Sequence, residues 1–237
     1  MLHASRGGKI TLFQDLYKRY SSLDLRNDFD RPIAIDGLQH RILTALGLKG
    51  GFGVLDEGAE KMGLLRRSLL WVRAEMQELN RIDFPNDRNI SVVPSWSWMA
   101  YTGGIDYISP PFNGVEWEAL QSPWSGYEKG DGDDEQEDVG ANIALVAEAR
   151  EYEPLRGSPG ESLLAFDRPE RPVAWETLCI VLGRQKGVAL NDQRHYLLLI
   201  KAAGLDRNGK QLFERVGAGY LPGRCIKHDS SVRVTIH

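Results

Sequence analysis

The residue types best suited to chemistry in this chain cluster around one aromatic segment. Asp106, Tyr107, Glu116 and Trp117 follow closely on Val93-Pro94-Ser95-Trp96-Ser97-Trp98-Met99-Ala100-Tyr101. Aromatic walls with a few carboxylates are a common composition for a small-ligand site. If the segment is a strand, Trp96 and Trp98 point the same way. One expectation is therefore a tryptophan-lined pocket holding Trp96, Trp98, Asp106 and Glu116, for ligand binding or hydrolysis. The other is that both indoles are core, each burying about 150–250 Å², because a sheet of this size needs such anchors. Ser95 and Ser97 face the opposite side of the same strand. Neither has the Gly-x-Ser-x-Gly setting of a hydrolase nucleophile.

Other chemistries find little support. The five histidines, His3, His40, His195, His228 and His237, are scattered. None has a second ligand two to four residues on, so no zinc site is expected. His40 falls inside a helix, and a surface or half-buried structural role is expected for it. Gly47 to Gly53 and Gly217-Ala218-Gly219 match neither Gly-x-Gly-x-x-Gly nor a Walker loop, and read as turns. The acidic run lacks the spaced ligands and closing glutamate of a calcium loop. No cofactor, no metal and no catalytic residue is expected.

Composition narrows the class. The chain has 237 residues, 42% hydrophobic and 26% charged, as in ordinary globular proteins. Its formal charge of -4 is concentrated in Asp131, Asp133, Asp134, Glu135, Glu137 and Asp138. Removing those six of 33 acids leaves 27 against 29 bases, a near-neutral body with no electrostatic footprint for nucleic acid. Cys179 and Cys225 allow a disulfide, which one pair cannot establish, and are read in preference as two buried free thiols in a cytoplasmic protein. No apolar h-region begins the chain and no apolar run approaches about 18 residues, so neither secretion nor a membrane span is expected.

The elements that must position these residues change character once. Ile10, Phe13, Leu16, Tyr17 and Tyr20 mark a first helix. A second begins at Asp30-Arg31-Pro32, carries Ile35, Leu38, Ile42 and Ala45-Leu46, and stops at Gly47. Leu64, Leu65, Ser68, Leu69 and Val72 predict a third, reaching about Leu79. After Pro85 the period becomes alternating. The tryptophan strand turns at Gly103-Gly104 toward a partner around Val115-Glu116-Trp117. Gly126 to Gly140 reads as a disordered acidic loop. Strands follow at Ile143 to Ala149, Thr177 to Leu182, Tyr196 to Ile200, Leu212 to Val216 and Val232 to Ile236. The expected fold is α+β: a helical neck over residues 1–84, packed on a mainly antiparallel β domain over 85–237, sandwich or partial barrel.

Three separated words carry a resemblance. Asp30-Arg31-Pro32-Ile33-Ala34 leading to Gly37-Leu38, then Leu69-Leu70-Trp71, then Pro94-Ser95-Trp96-Ser97-Trp98, resemble fungal heterokaryon incompatibility (HET-domain) proteins downstream of their HET core. Phe213-Glu214-Arg215-Val216-Gly217-Ala218-Gly219 resembles that family's closing β segment. The family's N-terminal Tyr-x-x-Leu-Ser-Tyr-x-Trp-Gly-like signature is absent, so no catalytic residue carries over. The resemblance implies a non-enzymatic module acting in non-self recognition and programmed cell death. Its implied partner is a protein or the missing N-terminal HET core. If the neck normally buries its stripe against that half, Leu38, Ile42, Leu65 and Leu69 are expected to form an exposed patch that drives self-association.

Overall fold

In the computed structural model, which describes residues 6–58, 63–84, 93–125, 143–154, 160–168, 176–206 and 208–237, the chain opens on two helices. These are α1 (Arg6–Ser21) and α2 (Arg31–Leu46). Pro32 lies in the first turn of α2, and left-handed Gly47 (φ 62) ends it, donating its N–H toward the Leu43 and Thr44 carbonyls. Asp30 holds the N-cap position without a side-chain capping bond. Arg31 ties the helices together: its guanidinium donates to the Ser21 carbonyl at 2.8 Å and the Leu23 carbonyl at 3.1 Å, satisfying acceptors at and just past the end of α1.

A tight hairpin, β1 (Lys49–Gly51) and β2 (Val54–Asp56), leads to α3 (Gly63–Ser68) and β3 (Trp71–Arg73). The third helix is thus one turn and a half, not a segment reaching Leu79. Tertiary bonds end it: the Leu69 and Trp71 carbonyls accept from Arg215, and the Leu70 carbonyl accepts from the Ile108 amide at 2.9 Å. Those carbonyls would otherwise continue an i→i+4 ladder.

Short strands follow: β4 (Asn80–Arg81), β5 (Tyr101–Thr102), β6 (Ile105–Tyr107) and β7 (Val115–Trp117). β3 pairs with β6 and β4 with β5, so strand pairing links residues on either side of position 84. The aromatic segment itself is not a strand. Ser97 donates its N–H to the Pro94 carbonyl, and its hydroxyl accepts from Met99 N at 3.0 Å, capping a 3-10 turn over Trp98–Ala100. β7 does not pair with that segment either; it pairs with β10 (Thr177–Gln185) at Gly183–Gln185. Gly183 is needed there, because a β-carbon would lie 2.6 Å from the Trp117 ring.

The C-terminal half forms a partial five-stranded barrel. β8 (Leu145–Arg150), β10, β11 (Arg194–Leu205), β12 (Gln211–Pro222) and β13 (Val232–Ile236) follow one another around it, and β11–β12 pairing closes it. All pairings are antiparallel except the short β12–β13 contact. β9 (Leu163–Phe166) lies against the far half of β12. The stretch Gly217-Ala218-Gly219, expected as a turn, is the middle of β12.

Alternation explains the core. Leu145, Ala147 and Ala149 point inward with Ile180, Leu182, Tyr196, Leu198, Ile200, Val234 and Ile236, and Leu65, Leu69, Leu70 and Trp96 join this cluster. The opposite faces of β10 and β11 bury Cys179, Val181, Leu197 and Leu199 against Tyr152, Leu221, Cys225 and Ile226. Both cysteines are buried free thiols. Leu65 and Leu69, expected on an exposed patch, are core residues; Ile42 is partly buried and Leu38 remains 42% exposed. Among the described residues no helix is long and apolar enough to cross a membrane. The acidic loop lies outside the described residues.

Candidate functional site

Three of the words singled out in the sequence, Leu69-Leu70-Trp71, Ser95-Trp96 and Arg215, meet at one guanidinium. Arg215 sits mid-strand in β12, where the register with β11 slips between Leu199 and Ile200 and leaves Val216 without its own partner. Such a bulge re-aims the neighbouring side chain. Beyond it, Gly217 and Gly219 admit β9 at close range: a β-carbon at either would lie 2.4 Å and 2.1 Å from the Ala165 and Leu163 carbonyls. β9 laid against those glycines carries the chain to Asp167, whose N–H donates to the Val216 carbonyl.

Asp167 and Arg215 then form a two-pronged ion pair. Arg215 Nε donates to Asp167 Oδ2 at 3.0 Å and Nη2 to Oδ1 at 3.2 Å, with the side chains 0% and 2% exposed. Nη1 also donates to the Leu69 carbonyl at 2.7 Å and Nη2 to the Trp71 carbonyl. The guanidinium lies 3.2 Å from the centre of the Trp71 ring, a cation–π contact in a desolvated site. Burial pushes the Asp167 carboxyl up, with Arg215 pulling the other way. Tyr101, 5.7 Å from Trp71 ring to ring, is pushed up to about 12 by burial and by the Asp167 charge.

Ser95 and Trp96 serve this junction, while Ser97 and Trp98 hold the neighbouring hairpin. Ser95 Oγ accepts from Arg215 N at 3.0 Å and donates to the His237 carbonyl, which also accepts from Ser95 N at 2.9 Å. The Trp96 carbonyl accepts from the Trp71 indole at 3.0 Å. Ser97 Oγ donates to the Phe52 carbonyl at 2.7 Å, fixing a hairpin turn in which Phe52 holds φ 53. Trp98 presses its indole edge on Gly53, where a β-carbon would come within 2.1 Å. Both serine hydroxyls are thus committed to backbone groups, and a guanidinium offers no base. The contacts here hold chain segments together: the ion pair joins β9 and β12 to the Leu69–Trp71 segment, and Ser95 bonds the Arg215 N–H and the His237 carbonyl.

The sequence-derived pocket is not assembled. Trp96 and Trp98 are 0% and 1% exposed and point into different hydrophobic clusters. Asp106 pairs with Lys18 at 2.8 Å, and Glu116 pairs with Arg184 at 3.2 Å, both on the surface. Asp167 went unnoticed in the sequence. The available signal was an arginine leading directly into the apolar run Val216-Gly217-Ala218-Gly219, where a buried guanidinium demands a partner acid.

Open clefts lie elsewhere among the described residues. One, of about 390 Å³, is lined by Ile10, Gly63, Phe112, Asn113 and Trp117 around Arg67, whose guanidinium lies between the Phe112 and Trp117 rings at 4.6 and 5.2 Å. Arg67 is held there by the Pro110 and Pro111 carbonyls at 2.7 and 3.0 Å. Another, of about 410 Å³, runs between α2 and the β1–β2 turn and is bordered by Ile33, Asp36, Gln39, His40, Phe52 and Met99. Among the described residues no three His, Cys, Asp or Glu side chains are grouped to hold a metal. Comparison with protein-family models, with curated proteins and with solved structures finds no match.

Proposed function

We infer that this chain is a non-catalytic module of the HET-domain type, acting in fungal non-self recognition and the cell death that follows it. In this reading it works in the cytoplasm without a cofactor, and its partner is a protein, the HET core. One observation carries the reading. Leu69-Leu70-Trp71, Ser95-Trp96 and Arg215, taken from three separate words of the resemblance, are used together in a single buried junction. Residues that co-occur because they build one junction mark a shared architecture rather than a shared reaction.

The test has two arms. The purified full chain is incubated with NAD and other nucleotides, and co-expressed with a HET core segment carrying the Leu-Ser-Tyr-x-Trp-Gly-like strand. No turnover, together with co-purification and altered viability of the host fungus, is the expected result. Consumption of NAD in proportion to chain concentration overturns the non-catalytic assignment, and failure to co-purify overturns the assignment of the partner.

A further inference from the structure

The outer face of α2 is unusual for a helix surface. Arg31, Ile35 and Gln39 form its buried row, which puts Gly37 at the middle of the exposed side. Glycine is the least favourable helix former except proline, and a β-carbon at Gly37 would meet nothing within 4 Å. No contact inside the chain therefore explains this residue. Ile33, one turn earlier, is 55% exposed, and Ala34 and Arg41 complete the surface around the notch. A notch flanked by apolar side chains admits close approach of another helix, where backbones meet at glycine.

Charge selects the occupant. On this face the acids Asp30 and Asp36 precede Gly37, while His40 and Arg41 follow it. Among the described residues neither Asp36 nor Arg41 makes an ion pair. Two antiparallel copies of α2 crossing at Gly37 set Asp36 of each against His40 of the other, and Asp30 against Arg41. A parallel arrangement sets like charge on like. A two-fold axis makes both ends of the contact identical, as closed dimers require.

We propose that the exposed face of α2 is a self-association surface, on which a second copy of this chain packs its own α2 antiparallel with Gly37 against Gly37. The inference is independent of the function assigned above. A helix of 16 residues is about 24 Å long, and one helix pair buries less than a standard interface. The association is therefore concentration-dependent and weakens with added salt.

Sedimentation equilibrium of the full chain up to millimolar concentration tests it. The expected mass rises from 26.6 kDa toward twice that value. Gly37→Gln improves helix propensity, so it raises the thermal midpoint while raising the dimer Kd about tenfold or more. Asp30→Arg and Arg41→Asp each abolish association alone, and mixing the two single variants restores it, because every contact in the mixed dimer again joins opposite charges. A wild-type chain that stays monomeric overturns the proposal, as does a Gly37→Gln chain that dimerises as tightly as wild type. A mixture that fails to associate overturns the antiparallel register.

Discussion

Replacing Asp167 by alanine removes the carboxylate paired with a guanidinium that has no solvent exposure. Arg215 keeps its bonds to the Leu69 and Trp71 carbonyls and its stack on Trp71, but those are neutral partners. Breaking a buried pair from one side costs about 3–5 kcal/mol, because a charge is left without compensation. Replacing Arg215 by methionine costs more. It strands the Asp167 carboxylate and also leaves two buried carbonyls without donors, at about 1–3 kcal/mol each. The double variant Asp167→Ala/Arg215→Met leaves only the carbonyls. Its cost falls short of the sum of the single variants by about 3 kcal/mol or more. Against a total stability on the order of 5–15 kcal/mol these are large effects. Urea unfolding followed by tryptophan emission measures all three, and Trp71 lies directly under the guanidinium. The reasoning fails if Asp167→Ala costs under about 1 kcal/mol, or if the singles and the double add within about 0.5 kcal/mol.

Three further outcomes are expected. His195 and His237 are held below the usual imidazole range, chiefly by burial, with His228, Arg184 and Arg150 also opposing a charge on His195. The unfolded chain therefore binds protons that the folded chain does not, so stability is full above about pH 6.5 and declines below it, by at most about 1.4 kcal/mol per pH unit for each group. His195→Gln should flatten that slope in a pH series of denaturant midpoints, and an unchanged slope refutes the assignment. Burial pushes the Cys179 thiol up to about 12 and raises Cys225 as well. A chromogenic disulfide at pH 8 should label neither thiol rapidly in the native chain and both in urea; fast native labelling of Cys179 contradicts its burial. Gly53→Ala drives a methyl group onto the Trp98 indole at a left-handed backbone position (φ 76). It should cost about 1–3 kcal/mol, and a thermal midpoint equal to wild type would show that the turn can move.

How far the fold can be read from the chain differs element by element. The barrel strands were legible because alternation records which face is buried: Leu145, Ala147 and Ala149, or Val234 and Ile236, carry the period without help from other parts of the chain. α2 was legible because Pro32 and Gly47 mark its ends through local backbone preference. The segment after Ser68 was misread because Leu64, Leu65 and Leu69 fit helical spacing, while a side chain 146 residues away takes the Leu69 carbonyl. The aromatic word was misread as a strand for a similar reason. Its serine hydroxyls replace the sheet ladder with bonds to Phe52 and His237, and its two indoles enter different clusters.

Apart from Asp167 and His237, the residues of the junction were therefore present in the sequence as words, without their meaning. Local propensity and periodicity act over a few residues, and they suffice to place helices, strands and their buried faces. A buried ion pair between Asp167 and Arg215, 48 residues apart, is stable only where desolvation, two carbonyls and an aromatic face coincide. That coincidence depends on β9 lying against Gly217 and Gly219 and on a one-residue bulge at Val216, which no pattern along the chain records. It belongs to the packed molecule, because desolvation exists only once the surrounding elements have excluded water.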